Sequence, residues 1–375
     1  MNSPTEKFEP IWVAGFMSGT SIDAVDGALI KTDGEQVFEF GPTVERKYRQ
    51  DERLVLQTAT REALNWKWQG PQPEAAFAAA REVIASTHAE AWRALAQAAG
   101  SIDIGLAGAH GQTVLHKRAP ERGRGATLQL MDAATLQAEM GVPLAYDFRS
   151  DDVAAGGQGA PLAPAYHQAL LRRLGDPSAA VLNLGGVANL TACMPDGEML
   201  AFDTGPANGP IDEWIEGHDA GSHDADGAIA ARGRVHQGLL TQLLEHPWFD
   251  VPAPKSLDRY DFNASMARGL SLEDGAATLT AFTAKSVVAA IAQLPVEPQR
   301  LIVCGGGRHN PTLMAKLRTY TPCAVQSAEQ VGWRGDSIEA EAFAFLAVRT
   351  LRGLPISWPR TTGAPAAMTG GRIQS

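Results

Sequence analysis

At 375 residues the chain exceeds what one hydrophobic core usually organises, so two domains are the default expectation. Hydrophobic residues make up 45% and charged residues 20%, the balance of an ordinary folded protein rather than a disordered or fibrous one. A formal net charge of -10 argues against nucleic acid or an anionic membrane as the main partner.

The first stretch, MNSPTEKFEP, is polar and has no basic-then-apolar leader pattern. Two apolar runs follow, over residues 11–17 and 25–30, and they flank the loop Ser18-Gly19-Thr20-Ser21-Ile22-Asp23. The pattern predicts a strand, a polar turn and a returning strand. Gly19 is expected to let the backbone turn where a side chain would clash. Backbone N–H groups and three hydroxyls in so short a loop suit phosphate oxygens, and Asp23 or Asp26 could hold a metal ion through water. An ordinary hairpin with a Ser/Thr-rich turn fits the same residues. Residues 37–40 and 43–48 extend the meander.

Residues 73–99 are rich in Ala, Glu, Arg and Gln with apolar residues at helical spacing, and Gly100 stands where a C-terminal cap belongs. A buried strand over 102–109 then runs into His110-Gly111-Gln112-Thr113, a string that suits sugar hydroxyls, although a lone histidine is more often structural. Short strands are expected at 127–130 and 143–146 around a helix at 132–140. Residues 147–164, with three glycines and two prolines, read as a long loop leading into a helix at 164–174. Within it, Asp147-Phe148-Arg149 is either a local ion pair or a ligand-holding pair.

A second hairpin, 179–184 and 187–193, turns about Gly185-Gly186, with Asn183 and Asn189 beside it; it is either a tight turn or a close backbone approach to phosphate. A strand at 199–202 leads into Asp203-Thr204-Gly205-Pro206. A carboxylate at a strand end is a general-base candidate, and an Asx-turn is the structural alternative. From there to about residue 270 the pattern is helical with polar loops and hard to parse. A helix at 276–294 contains the longest apolar helix-like run, far too short to span a bilayer. After a strand at 300–304 come Gly305-Gly306-Gly307, a flat surface against which a purine could lie, with Asn310 near the next helix start. Residues 336–352 form the last strong helix, and 361–375 read as a frayed tail.

Cys193, Cys304 and Cys323 are widely spaced and odd in number, which fits small buried hydrophobes in a reducing cytoplasm rather than a disulfide framework or a zinc site. P-loop, GxGxxG strand–helix, HExxH and GxSxG signatures are all absent from the sequence. The two glycine-containing hairpins, one in each half, suggest two related domains.

Seven strings occur in order over residues 17–347: MSGTSIDAVD, AHGQTVLH, DFRSDDVAAGGQGAPLAP, LNLGGVANLT, FDTGPANGPIDEWI, CGGGRHNP and GDSIEAEAFAFLA. Together they closely resemble the anhydro-N-acetylmuramic acid kinases. The resemblance implies an α/β chain with the two-domain actin/hexokinase-like (ribonuclease H-like) ATPase fold and an interdomain active-site cleft. It implies domains at 1–145 and 146–345, with about 346–375 packing back on the first. The implied reaction takes 1,6-anhydro-N-acetylmuramic acid, ATP and water to N-acetylmuramic acid 6-phosphate and ADP, in peptidoglycan recycling. Carried over by motif, Asp203 is the catalytic aspartate. Gly19, Thr20, Ser21, Asp23, Asp26, Gly185 and Gly186 become phosphate-binding residues, with Asp23 and Asp26 near Mg²⁺, and Gly305, Gly306, Gly307 and Asn310 the adenosine site. His110, Gln112, Thr113, Asp147 and Arg149 fall in segments expected to line the sugar site. A cytoplasmic homodimer with neither nucleic acid nor membrane as partner is also implied.

Two departures stand out: Ala24 and Ala207 replace glycines usual in the family. A methyl is tolerated there only where φ is negative. A kinase of another anhydrosugar, such as levoglucosan, and a catalytically silent sugar or nucleotide sensor are the competing readings.

Overall fold

The computed structural model describes residues 8–19, 21–117, 125–194, 196–257 and 261–375. In chain order the first elements are β1 (Ile11–Ser18), β2 (Ala24–Thr32), β3 (Val37–Lys47), α1 (Gln50–Trp66), α2 (Glu74–Ala99), β4 (Ile104–Ala109), β5 (Gln112–Lys117), β6 (Ala126–Leu130), α3 (Ala133–Met140), β7 (Leu144–Tyr146), α4 (Ser150–Ala155) and α5 (Pro164–Leu174). They are followed by β8 (Ala179–Leu184), β9 (Val187–Cys193), β10 (Met199–Pro206), α6 (Asn208–Glu216), α7 (Gln237–Leu244), α8 (Leu272–Ile291), β11 (Arg300–Cys304), α9 (Pro311–Tyr320), β12 (Ala324–Ser327), α10 (Ile338–Leu351), α11 (Pro359–Thr362) and β13 (Arg372–Gln374).

The chain forms two compact units, 1–173 with 339–359 and 363–375, and 174–338 with 360–362. The motif-based division fell at 145/146, whereas the units divide at 173/174. The intervening stretch packs within the first unit: the Phe148 ring lies 5.3 Å from Phe343, and Tyr166 lies 5.6 Å from Phe345 and donates a hydrogen bond to buried Glu341.

In the first unit the sheet order is β13-β7-β4-β1-β2-β3, and in the second β10-β9-β8-β11-β12. The first three strands of each, β1–β3 and β8–β10, are antiparallel meanders. The next two, β4 and β7 or β11 and β12, run parallel to the first. The same five-strand arrangement therefore occurs twice, and it is the duplicated ribonuclease H-like sheet of the actin/hexokinase-like fold. Parallel strands need crossover connections, usually helical, and α2 and α8 occupy those places in the two halves.

One packing contact explains two glycines. A Cβ built on Gly15 would lie 1.9 Å from the Ala340 carbonyl oxygen, and one on Gly108 would lie 2.3 Å from that of Phe343. Helix α10 thus lies directly on β1 and β4, closer than any side chain there permits. The first unit's core is filled by Phe16, Leu29, Leu56, Phe77, Ile84 and Leu95, all fully buried, and the second unit's by Leu182, Leu190, Phe202, Leu301 and Val303.

Three expectations are corrected. The stretch 147–164 is not all loop, since α4 lies in it. The C-terminal residues are not frayed: β13 pairs antiparallel with β7, and Ser357 bridges Met368. At the first turn the left-handed residue is Ile22, at φ 53°, while a Cβ on Gly19 would meet only Ser21, with Oγ nearest at an ordinary 3.4 Å. The buried side chain of Ile22 holds that conformation in place of a glycine.

Candidate active site

The second unit aligns a polar row across its sheet. Register places Cys304 on β11 opposite Asn183 on β8, Asn183 opposite Asn189 on β9, and Asn189 opposite Asp203 on β10. Directly paired residues share a face, so an acid and two amides project together from strands that are mostly buried. Just past Asp203 the pairing shifts register toward Gly205, a bulge of the kind that re-aims a side chain.

Backbone holds Asp203 from two sides. Its N–H donates to the Lys255 carbonyl at 2.9 Å, and the Leu257 N–H donates to its Oδ2 at 2.7 Å. Lys255 in turn is anchored: Nζ donates to the carbonyls of Trp248 (3.2 Å) and Phe249 (3.0 Å) and lies 4.3 Å from the Trp248 ring centre. Burial lowers this ammonium to about 8. Asp203 therefore has a fixed orientation. Sequence reasoning missed this collar because it lies in the stretch without clear periodicity.

The glycine turns divide into two kinds. A Cβ on Gly305, whose φ is 75°, would lie 2.3 Å from Asn183 Oδ1, and one on Gly307 would lie 2.7 Å from Leu184 Cβ. Packing alone thus requires two of the three glycines, Gly305 and Gly307. Around Gly186 and Gly306 there is open space. The carbonyls of Gly185 and Gly186 accept the N–H groups of Asn208 (3.0 Å), Ala207 (3.0 Å) and Gly209 (3.1 Å), which satisfies the start of α6. The Asn310 amide oxygen caps α9 through the Leu313 N–H at 2.9 Å, so it shapes the loop.

Arg308 clamps that loop. Its Nε donates to Glu329 at 2.8 Å, Nη1 to the Gly305 carbonyl at 3.0 Å, and Nη1 and Nη2 reach both oxygens of Asp336 at 2.8 and 2.6 Å. The Arg308 hydrogen bond holds the Asp336 carboxyl below the usual carboxylate range. The other motif glycine, Gly335, leaves room for this guanidinium: a Cβ there would lie 2.2 Å from Nε.

In the first unit, the Ser18–Asp23 turn is pinned from the side. Ser18 Oγ donates to Gln112 Oε1 at 2.6 Å, Gln112 Nε2 donates to the Gly19 carbonyl at 3.2 Å, and the Tyr48 hydroxyl bonds Ser18 at 2.8 Å. Ser21 Oγ and the Ala24 N–H both donate to Asp23 Oδ1, at 2.7 and 2.9 Å. Partly buried Asp26 lies opposite Met17 on β1. Thr20 lies outside the described residues. Gln112 is thus a brace for the turn, fully buried at 1% exposure, rather than an open sugar contact.

His110 is also committed. One ring nitrogen, Nδ1, donates to the Gly111 carbonyl at 2.9 Å, and Nε2 accepts from Arg149 Nε at 2.8 Å. Burial, and then the Arg149 charge, push this imidazole well below its ordinary value, so it is neutral. Arg149 Nη1 donates to the Gly159 carbonyl at 2.7 Å, which leaves Nη2 without a hydrogen bond among the described residues. Burial lowers the guanidinium to about 10, and it stays charged at neutral pH. Asp147 does not pair with Arg149: it accepts from Ser150 Oγ and from Arg372 Nε at 3.0 Å. Half-buried Thr113 accepts from Gln129 Nε2 at 3.3 Å. Both alanine departures are accommodated, with Ala207 at φ -125° and Ala24 outside the positive-φ residues.

A family profile described as Anhydro-N-acetylmuramic acid kinase matches residues 11–375. The chain belongs to the anhydro-N-acetylmuramic acid kinase family. A protein of that name from Rhizobium rhizogenes (strain K84 / ATCC BAA-868) is 53% identical over 370 residues, covering 97% of this chain and 99% of its own. Another from Caulobacter vibrioides is 52% identical over 364 residues, covering 96% and 98%. Among solved structures, component A of the Acidaminococcus fermentans (R)-2-hydroxyglutaryl-CoA dehydratase is similar at a TM-score of 0.46 and 10% identity, over 91% of this chain and 99% of that one. Among the described residues no helix is long and apolar enough to cross a membrane.

Proposed function

We propose that this chain is an ATP-dependent kinase that opens 1,6-anhydro-N-acetylmuramic acid with water and phosphorylates O6, giving N-acetylmuramic acid 6-phosphate and ADP. The observation that carries the reading is Asp203: an acid at a strand bulge, beside two amides, its orientation fixed by the Lys255–Leu257 backbone. In this reading Asp203 takes a proton from the water that attacks the anomeric carbon. The bond from that carbon to the bridging oxygen breaks, and the freed O6 attacks the γ-phosphorus of ATP. Family membership at about half identity over nearly the whole chain supports the substrate assignment.

Gly186 and Gly306, where an added Cβ would meet nothing within 4 Å, are the places where phosphate and base can approach the backbone. The braced Ser18–Asp23 turn supplies N–H and hydroxyl donors to the phosphates, and Arg149 Nη2 supplies an unspent cation to the sugar's carboxylate. His110 and Gln112 position Arg149 and the turn. Asp147 contributes through its contacts with Ser150 and Arg372.

Asp23 and Asp26 fit a magnesium ion carried by ATP. Magnesium keeps several waters and takes one or two carboxylates plus phosphate oxygens. Asp23 is exposed with Oδ2 unbonded among the described residues, and no group of three or more ligating side chains occurs there to form a dedicated cage. When bound, the ion neutralises charge developing on the transferred phosphoryl group. The same family reading makes the protein a cytoplasmic homodimer with a small-molecule sugar and ATP as its ligands. Sedimentation velocity reads the dimer directly.

A general base contributes roughly 10²–10⁴-fold. Asp203→Asn should therefore lower kcat by at least about 10²-fold and leave ATP binding largely intact. Near-normal turnover in that variant would sink the assignment.

A further inference from the structure

We propose that Gln129 and Gln158 are specificity residues, whose side-chain amide oxygens accept hydrogen bonds from the sugar; the proposal rests on the function given above. Both oxygens are withdrawn from solvent and have no hydrogen-bond partner among the described residues. A buried polar atom left unpaired is costly, and native proteins keep few. These two belong to one neighbourhood. Gln129 Nε2 donates to Thr113 Oγ1 and Thr127 Oγ1, at 3.3 and 2.7 Å, and Thr127 Oγ1 is 3.0 Å from His116 Nδ1. A Cβ on Gly159 would lie 3.3 Å from the His116 ring. Gln158 is therefore one residue from the surface that the β5–β6 hairpin presents, and Arg149 bonds the Gly159 carbonyl beside it.

The backbone on either side of Gln158 is fixed. The Gly157 N–H donates to the Asp152 carbonyl at 2.8 Å, and the Gly159 N–H to Asp152 Oδ2 at 2.7 Å. So Gln158 is carried on a fixed backbone rather than on a loose loop. On β5 and β6, Val114, Leu115 and Leu130 are buried in the core, while Thr113, His116, Thr127 and Gln129 are only half-buried. A hairpin that needed only to pack would not place a bonded carboxamide there with its acceptor unused.

The substrate's chemistry fits two acceptors. In a 1,6-bridged N-acetylmuramic acid, O1 and O6 are one bridging atom and O3 carries the lactyl ether. The remaining donors on the ring are the acetamido N–H and the 4-hydroxyl. A site built to bond a substrate donor rejects an analogue that lacks it, because the buried acceptor stays unpaired. Gln129 and Gln158 would then recognise the amide and hydroxyl edge, with Arg149 left for the carboxylate.

The test is calorimetric binding of 1,6-anhydro-N-acetylmuramic acid, together with steady-state kinetics, for the wild type, Gln129→Met and Gln158→Met. Gln326→Met is the control, since that residue carries an unpaired buried oxygen in the other unit. The sugar Kd and KM should each rise roughly tenfold in both variants, the ATP KM should change little, and Gln158→Met should unfold no earlier than wild type. Should Gln129→Met fail to fold, Gln158→Met decides alone. Wild-type sugar affinity in the variants, an equal rise in ATP KM, or the same loss in Gln326→Met overturns the proposal. A wild-type protein that binds the sugar but releases no ADP instead overturns the kinase reading, and the binding comparison still stands.

Discussion

Asp203 and Gly306 show how differently two motif residues can be constrained. The carboxylate is gripped by backbone from a collar that the sequence hardly announces, with Lys255 burying its ammonium against Trp248. Gly306 has no packing reason to lack a side chain, unlike Gly305 and Gly307 on either side. Gly306→Ala should therefore leave the thermal midpoint within about a degree and raise the ATP KM severalfold; a lowered midpoint with unchanged KM would show a structural glycine instead. The residue types of the site were legible because glycine, aspartate and asparagine cluster after apolar runs. Their commitments were not. His110 and Gln112 stand in a polar string that suits a sugar, yet their hydrogen bonds go to Arg149, Ser18 and the backbone. Such pairings join residues tens of positions apart, and no local pattern reports them.

At the scale of elements, the strands and the long helices follow from period and punctuation, and the hairpins at residues 18–24 and 184–187 were both readable. Helix α1 was not, because only Leu56, Ala59 and Ala63 of its apolar positions are buried while Leu54 and Leu64 are exposed. Strand β13 was missed for a related reason: three residues have too little pattern to show, and pairing with β7 creates the strand. Helix α10 is the element whose fit is tightest. Gly15→Ala would drive a methyl into the Ala340 carbonyl and push α10 off the sheet, and it should destabilise the protein by about 1–3 kcal/mol or more. Denaturant unfolding checks this; a loss below about 0.5 kcal/mol would mean the helix has slack.

For the whole molecule, the repeated strand order explains why a weak echo between two hairpins signalled a duplicated architecture, although the unit boundary needed the packing of Phe148 and Tyr166 to place it. Stability should depend on pH through histidines in the cores. His88 and His167 are both lowered by burial from 6.5 to about 4. Between those values the unfolded chain binds protons that the folded one refuses, so stability is full above about pH 6.5 and falls as pH drops toward 4. The loss should be on the order of 3 kcal/mol per histidine, and His88→Gln should flatten the slope of unfolding free energy over that window; an unchanged slope would assign the acid sensitivity to carboxylates. The kinase reading itself meets its most direct test in ADP release over a panel of anhydrosugars, with the phosphosugar identified by mass. The account predicts one ADP per N-acetylmuramic acid 6-phosphate, with 1,6-anhydro-N-acetylmuramic acid preferred over levoglucosan and almost no ATP hydrolysis without sugar. Preference for levoglucosan, or ADP accompanied by inorganic phosphate and no phosphosugar, would contradict it.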